Sequence, residues 1–91
     1  MKRIEIAMET RLAHTHRSLE RGLRAIEATA AIGGSATLGE IARKIALPRS
    51  TTHHLLRALV EIGYLAQDGD GRPYRLTPKL FQLTGRTWSK E

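Results

Sequence analysis

A mainly α-helical fold that ends in a small β-hairpin is what this sequence predicts, on three observations. Two amphipathic segments, one of about nine residues from Leu38 that Leu47-Pro48 stops and one over 48–62, have so little chain between them that only a tight turn fits. The first opens on Thr37-Leu38-Gly39-Glu40, the spacing at which a hydroxyl and a carboxylate satisfy free N–H groups reciprocally at a helix start. After the second, Asp68-Gly69-Asp70-Gly71-Arg72-Pro73 separates two short strand-like runs, 64–67 and 74–77. Two glycines free to take positive φ make that connection a turn.

Size and composition bound the rest. Ninety-one residues suit one domain with a single modest core. With no cysteine, disulfides and cysteine-ligated metals are excluded. No apolar run approaches the roughly 20 residues that span a bilayer, and MKRIEIAMETR breaks its apolar positions with charges, unlike a secretory signal. A soluble, cytoplasmic protein with no membrane partner is the expectation. Fifteen Lys and Arg against nine Asp and Glu give a net charge of +6, which favours a polyanionic partner. The four aromatic residues, Tyr64, Tyr74, Phe81 and Trp88, form no row on which single-strand bases could stack.

In chain order, residues 1–16 carry Ile4, Met8 and Leu12 at helical spacing and read as an amphipathic helix or arm. His14 and His16 fall on different faces of such a helix and lack a third ligand, so they are surface residues and no metal is expected. From Ser18, the residues Leu19, Leu23, Ile26 and Ala30 make a buried helical stripe. Arg17, Arg21 and Arg24 lie opposite, and Gly22 offers room for close packing. Gly33-Gly34 ends this helix. In the helix after Thr37, Leu38, Ile41, Ala42 and Ile45 face inward while Arg43 and Lys44 stay outside.

The helix over 48–62 carries the chemistry. Pro48 suits its first helical position. On a wheel, Pro48, Thr51, Thr52, Leu55, Leu56, Leu59 and Ile62 gather on a core face. Ser50, His54, Arg57 and Glu61 gather opposite, with His53 beside them and Arg49 at the edge. Hydroxyls, imidazoles and guanidinium groups near a helix start can reach phosphates and base edges. Ser50, His53 and His54 are expected to read base edges. Arg49, Arg57, Arg72 on the hairpin and Arg75 on its returning strand are expected to neutralise phosphate. Thr51 adds a hydroxyl at the helix start, Thr52 packs inward, and Thr37 begins the preceding helix. Asp68 and Asp70 would repel phosphate, so the hairpin does not act through charge alone. Two helices joined this way and followed at once by a hairpin form a winged helix-turn-helix.

Other chemistries lack their residues. His53 and His54 are turned about 100° apart on a helix, and no nucleophile or carboxylate pair accompanies them. Gly33-Gly34 lacks the lysine and hydroxyl of a phosphate loop. Neither an enzyme nor a cofactor is expected. A winged helix that binds a protein partner instead of DNA would show an apolar or acidic outward face; this one is basic and polar.

The last segment opens at Pro78, with Leu80, Leu83, Thr84 and Trp88 at helical spacing, Phe81 alongside, and Gly85 set against a continuous helix. Its apolar residues and those of 1–16 exceed what so small a domain can bury. Self-association through at least one of the two is expected, with the N-terminal helix favoured.

Over residues 18–85, SLERGLRAIE, TLGEIARKIALPRSTTHHLLRALVEIGYL and YRLTPKL together resemble the N-terminal winged-helix DNA-binding domain of the IclR family of bacterial transcription regulators. The resemblance implies a dimeric regulator such as a repressor, on a pseudo-palindromic operator in double-stranded DNA, with the recognition helix in the major groove and the wing on the backbone. It puts DNA contacts on Arg49, Ser50, Thr51, Thr52, His53 and Arg57. His54 stands where the family often has arginine or another polar residue. Imidazole and guanidinium read bases differently, which makes His54 a determinant of the sequence bound. The expected organisation is an arm over 1–16, the winged helix-turn-helix over 17–77 and the start of a linker helix over 78–91. The family's effector-binding domain would follow, so the chain reads as a DNA-binding piece and no small-molecule effector is assigned to it.

Overall fold

The computed structural model describes residues 16–88, with side chains through Gly85. The arm expected over 1–16, apart from His16, and the Trp88 side chain lie outside what is described. Helix α1 (Arg17–Ile32) comes first. Strand β1 (Ser35–Ala36), helix α2 (Leu38–Ile45) and helix α3 (Arg49–Glu61) follow. Strands β2 (Leu65–Gln67) and β3 (Tyr74–Leu76) then lead into helix α4 (Pro78–Trp88). This is the winged helix-turn-helix that the sequence predicts, with one strand added.

Helix α1 packs against both α2 and α3, but not along the expected stripe. Gly22, Ala25, Ile26, Ala28 and Thr29 are buried, whereas Leu19 and Leu23 are 60% and 51% exposed and Ala30 is exposed. The buried arc is turned about a quarter-turn from the predicted one. Small residues let two helices approach at once, which a reading weighted toward large apolar side chains misses. Thr29 satisfies its buried hydroxyl by donating to Ala25 O, 2.8 Å away. A Cβ built on Gly22 meets nothing within 4 Å, so close packing is not the reason for glycine there. Gly33 and Gly34 end the helix as expected, at φ 126° and 95°. Their N–H groups donate to Ala30 O and Thr29 O at 3.1 and 2.8 Å.

The capping box of α2 is complete. Glu40 N–H donates to Thr37 Oγ1 at 3.1 Å, and Thr37 N–H to Glu40 Oε1 at 2.8 Å. The helix stops at Ala46, which is left-handed at φ 59° and ψ 46°. This is a conformation that costs an alanine about 1–2 kcal/mol. Half-buried Leu47 offsets that cost by packing against the core, and its N–H donates to Ala42 O at 3.1 Å. Pro48 is the N-cap of α3 (φ −60°, ψ 152°), not its first helical residue. Its extended ψ aims the carbonyl at Thr52, whose N–H and hydroxyl both donate to it, at 3.0 and 2.9 Å. Pro48 is exposed and Ile62 is 52% exposed, against the wheel. Both lie beyond the ends of α3, where the chain leaves the helical path. Thr52, Leu56 and Leu59 are buried as expected.

The hairpin forms over nearly the expected residues, with Leu65 opposite Leu76 and Gln67 opposite Tyr74. The unexpected strand β1 pairs antiparallel with β3, Ser35 opposite Arg75 and Ala36 opposite Tyr74, giving the order β1-β3-β2. The wing is thereby tied to the loop that precedes α2. Ile41, Leu56 and Leu65 are the largest fully buried apolar side chains, joining one helix of the turn, the other helix and the sheet in one core. Among the described residues, no buried side-chain nitrogen or oxygen lacks a partner.

Helix α4 runs through Gly85 without interruption, since glycine in a helix costs only about 1 kcal/mol. Lys79 fastens it to the end of α3. Its Nζ donates to Ile62 O at 2.6 Å and sits 4.8 Å from the centre of the Tyr64 ring. Leu80 packs on the core, while Phe81 and Leu83 are exposed. None of the described helices is long and apolar enough to cross a membrane.

Candidate nucleic-acid interface

The start of α2, the outward face of α3 and the hairpin converge on an open groove of about 570 Å³. Four arginines line it from three elements: Arg43 from α2, Arg49 and Arg57 from α3, and Arg72 from the hairpin turn. His53, Gln67 and Tyr74 also line it, and Asp70 is the one acid among the lining residues. Thr37 and Gly39 bring the start of α2 to the same space, where a helix N-terminus adds partial positive charge. The hairpin end is held by backbone hydrogen bonds: Arg72 N–H donates to Gly69 O at 3.0 Å, and Gln67 Nε2 donates to Arg72 O at 2.9 Å. Gly71, at φ 78°, supplies the left-handed turn residue.

The structure sorts the residues that the sequence nominates. Thr37, Arg49, His53, Arg57 and Arg72 meet in the groove. Ser50 and His54 are exposed elsewhere on α3, the His54 ring centred 6.0 Å from that of His53. Thr51 is half-buried. Thr52 is fully buried with its hydroxyl given to Pro48 O, which corrects its place among DNA-contacting residues: it holds the start of α3 and has no surface to offer. Arg75 lies outside the groove, its Nη1 2.7 Å from Asp68 Oδ1.

Two contributors escaped the sequence reading. The sequence puts Arg43 outward on α2, but its convergence with arginines of α3 and the wing depends on how the elements pack. Gly39 makes room for Arg49. A Cβ at position 39 would lie 2.7 Å from Arg49 Nη1, so the guanidinium occupies space that any larger residue would claim. Among the described residues, no group of three His, Cys, Asp or Glu could hold a metal.

Comparison with known proteins matches residues 18–69, more than half of the chain, to the IclR helix-turn-helix domain. The chain belongs to the IclR family. The transcriptional repressor IclR of Escherichia coli is 43% identical over 53 residues, covering 58% of this chain and 19% of that protein. The chain thus spans about a fifth of that relative's length. Among solved structures, an IclR family transcriptional regulator from Brucella abortus aligns with a TM-score of 0.70 at 32% identity, over 79% of this chain and 27% of that one. HmgR of Pseudomonas aeruginosa aligns with a TM-score of 0.72 at 25% identity, over 82% of this chain and 31% of that one. The architecture described above is therefore the winged helix-turn-helix of IclR-type regulators.

Proposed function

We propose that this chain is the sequence-specific DNA-binding part of a bacterial IclR-type transcription regulator, a cytoplasmic repressor that binds a pseudo-palindromic operator as a homodimer. The observation that carries the reading is the groove in which four arginines from α2, α3 and the wing face one space. Such a concentration of guanidinium groups beside two helix starts is suited to phosphate, which each can hold in a bidentate manner. The first half of α3 would lie in the major groove with the wing along the backbone. Arg49, Arg57, Arg72 and Arg43 would neutralise phosphates, and Thr37 and Thr51 could add hydroxyls. Ser50, His53 and His54 would address base edges. Arg75, balanced by Asp68, contributes less in this arrangement. The domain unit would be 17–77, with 1–16 as an arm, 78–91 as the beginning of a linker and no small-molecule effector held by these residues. Contacts through the arm or through α4, whose Phe81 is 78% exposed, would supply the dimer.

Titration of the 91-residue chain against labelled random duplex, followed by selection on randomised duplexes, tests the reading. Expected are duplex binding whose log K falls linearly with log salt and a selected motif with two related half-sites. No duplex binding at low salt would overturn it.

The notch at Gly39 has its own expected result. Gly39→Ala gives α2 a better helix former, stabilising it by up to about 1 kcal/mol. It also drives the Arg49 guanidinium from its position, because the new Cβ and Nη1 cannot stand 2.7 Å apart. The variant should melt no lower than the parent yet bind duplex about two- to fivefold more weakly, the worth of one surface charge contact. Unchanged affinity would show that Arg49 does not act from that position.

A further inference from the structure

The two carboxylates of the wing have different surroundings. Asp68 faces Arg75 at 2.7 Å and is no part of the groove lining. Asp70 lines the cationic groove as its one acid. It also lines a smaller recess beside the groove with His53, Arg57, Val60, Gln67, Tyr74 and a second acid, Glu61, which is no part of the groove lining. Yet among the described residues Asp70 forms no ion pair. An acid left unpaired among arginines weakens the field that would attract a polyanion. It does so on the hairpin turn, where the backbone would accept asparagine or serine as readily.

We propose that Asp70 is a specificity-determining residue of the wing that acts by exclusion. The inference rests on the DNA-binding reading above and adds to it a residue that lowers affinity. An ionised carboxylate offers hydrogen-bond acceptors only. A phosphate does the same and carries the same charge, so every duplex brought into the groove meets this repulsion. Asp70 shares both spaces with His53 of α3, so it would stand where the wing borders the major groove, and part of the cost is recovered only where a base edge there presents an amino donor such as cytosine N4. Non-specific complexes bear the whole penalty and the preferred sequence bears less. Discrimination therefore improves while absolute affinity falls, as it does wherever specificity comes from disfavouring the wrong partner. The arginines supply binding strength that is blind to sequence, and Asp70 removes some of it selectively.

The test compares the unmodified chain with Asp70→Asn and Asp68→Asn in titrations against random duplex and against the best duplex from selection. Both substitutions change net charge equally and keep the side-chain shape. Asp70→Asn should tighten random-duplex binding about two- to fivefold and the selected duplex less, so that the ratio between them falls. Its salt slope on random duplex should steepen by up to about one unit. Asp68→Asn releases Arg75 for phosphate and should leave the ratio unchanged. If the two variants shift both duplexes by the same factor, net charge alone is at work and the proposal is overturned. It is also overturned if Asp70→Asn changes neither affinity while the parent chain binds DNA. A parent chain that binds no duplex would instead overturn the DNA-binding reading, taking this inference with it.

Discussion

Arg57→Ala is expected to lower affinity for duplex DNA about tenfold, for selected and random sequences alike, and to flatten the dependence of log K on log salt by about one unit. The side chain is exposed, and among the described residues it takes part in no hydrogen bond or ion pair that the fold could lose. It lines both the large groove and the smaller recess, so it stands where α3 and the wing come closest to sharing a ligand. Eight residues into a helix that rises about 1.5 Å per residue, it lies about 12 Å from Arg49 along the axis. A phosphate on either strand bordering the major groove falls within such a span. The melting temperature should not move, because surface substitutions away from caps and cores usually stay within about 0.5 kcal/mol. Arg57→Lys should restore most of the salt slope, since the charge returns, and less of the affinity, since the planar fork does not. A wild-type slope in Arg57→Ala would remove this residue from the phosphate contacts.

How much of this was legible in the sequence depends on how local each determinant is. The Thr37–Glu40 box, the Gly33-Gly34 stop and the turn over 68–73 are each written in a few adjacent residues, and the structure has all three. The outward set on α3 was equally legible, because one amphipathic helix with a clear core face fixes the opposite face. Three features were not. Strand β1 is two residues long, too short for any periodicity, and it exists only because β3 returns beside it. The buried face of α1 was not legible because Ala25, Ala28 and Thr29 are buried for their smallness, whereas Leu19 and Leu23 are more hydrophobic and stay exposed. The left-handed Ala46 carries no signal, since glycine is the residue that usually marks such a turn.

The candidate site divides in the same way. Residues that share α3 could be grouped from the wheel, but the meeting of Arg43, Arg49 and Arg72 is tertiary. So is the separation of Asp68 from Asp70, two residues apart on the chain yet different in pairing. Thr52 shows the opposite error: a family motif includes it among contacts, while the wheel had already turned it inward. The buried hydroxyl bonded to Pro48 O sides with the wheel. Here the geometry of one helix was a better guide than resemblance.

Leu56→Ala should have the largest effect on stability of any single truncation on α3. Leu56 is fully buried, and the core cluster around it joins α1, α2, α3 and the sheet. Truncation removes buried methyl groups and leaves a cavity, at a cost of about 2–5 kcal/mol. A domain of this size has only about 5–15 kcal/mol to lose. The melting temperature should fall by at least about 10 °C, and the urea midpoint should fall with little change in slope. Duplex should then stabilise Leu56→Ala and Arg57→Ala to different extents. DNA that binds only the folded state, present at a hundred times its dissociation constant, returns about 2.7 kcal/mol. Leu56→Ala keeps every groove residue, so saturating duplex should recover a comparable share of its lost stability. Arg57→Ala keeps the core, and at one fixed duplex concentration it should gain less from DNA than the parent does. If Leu56→Ala lost under about 1 kcal/mol, Leu56 would not be the point at which the turn, the sheet and the recognition helix are joined.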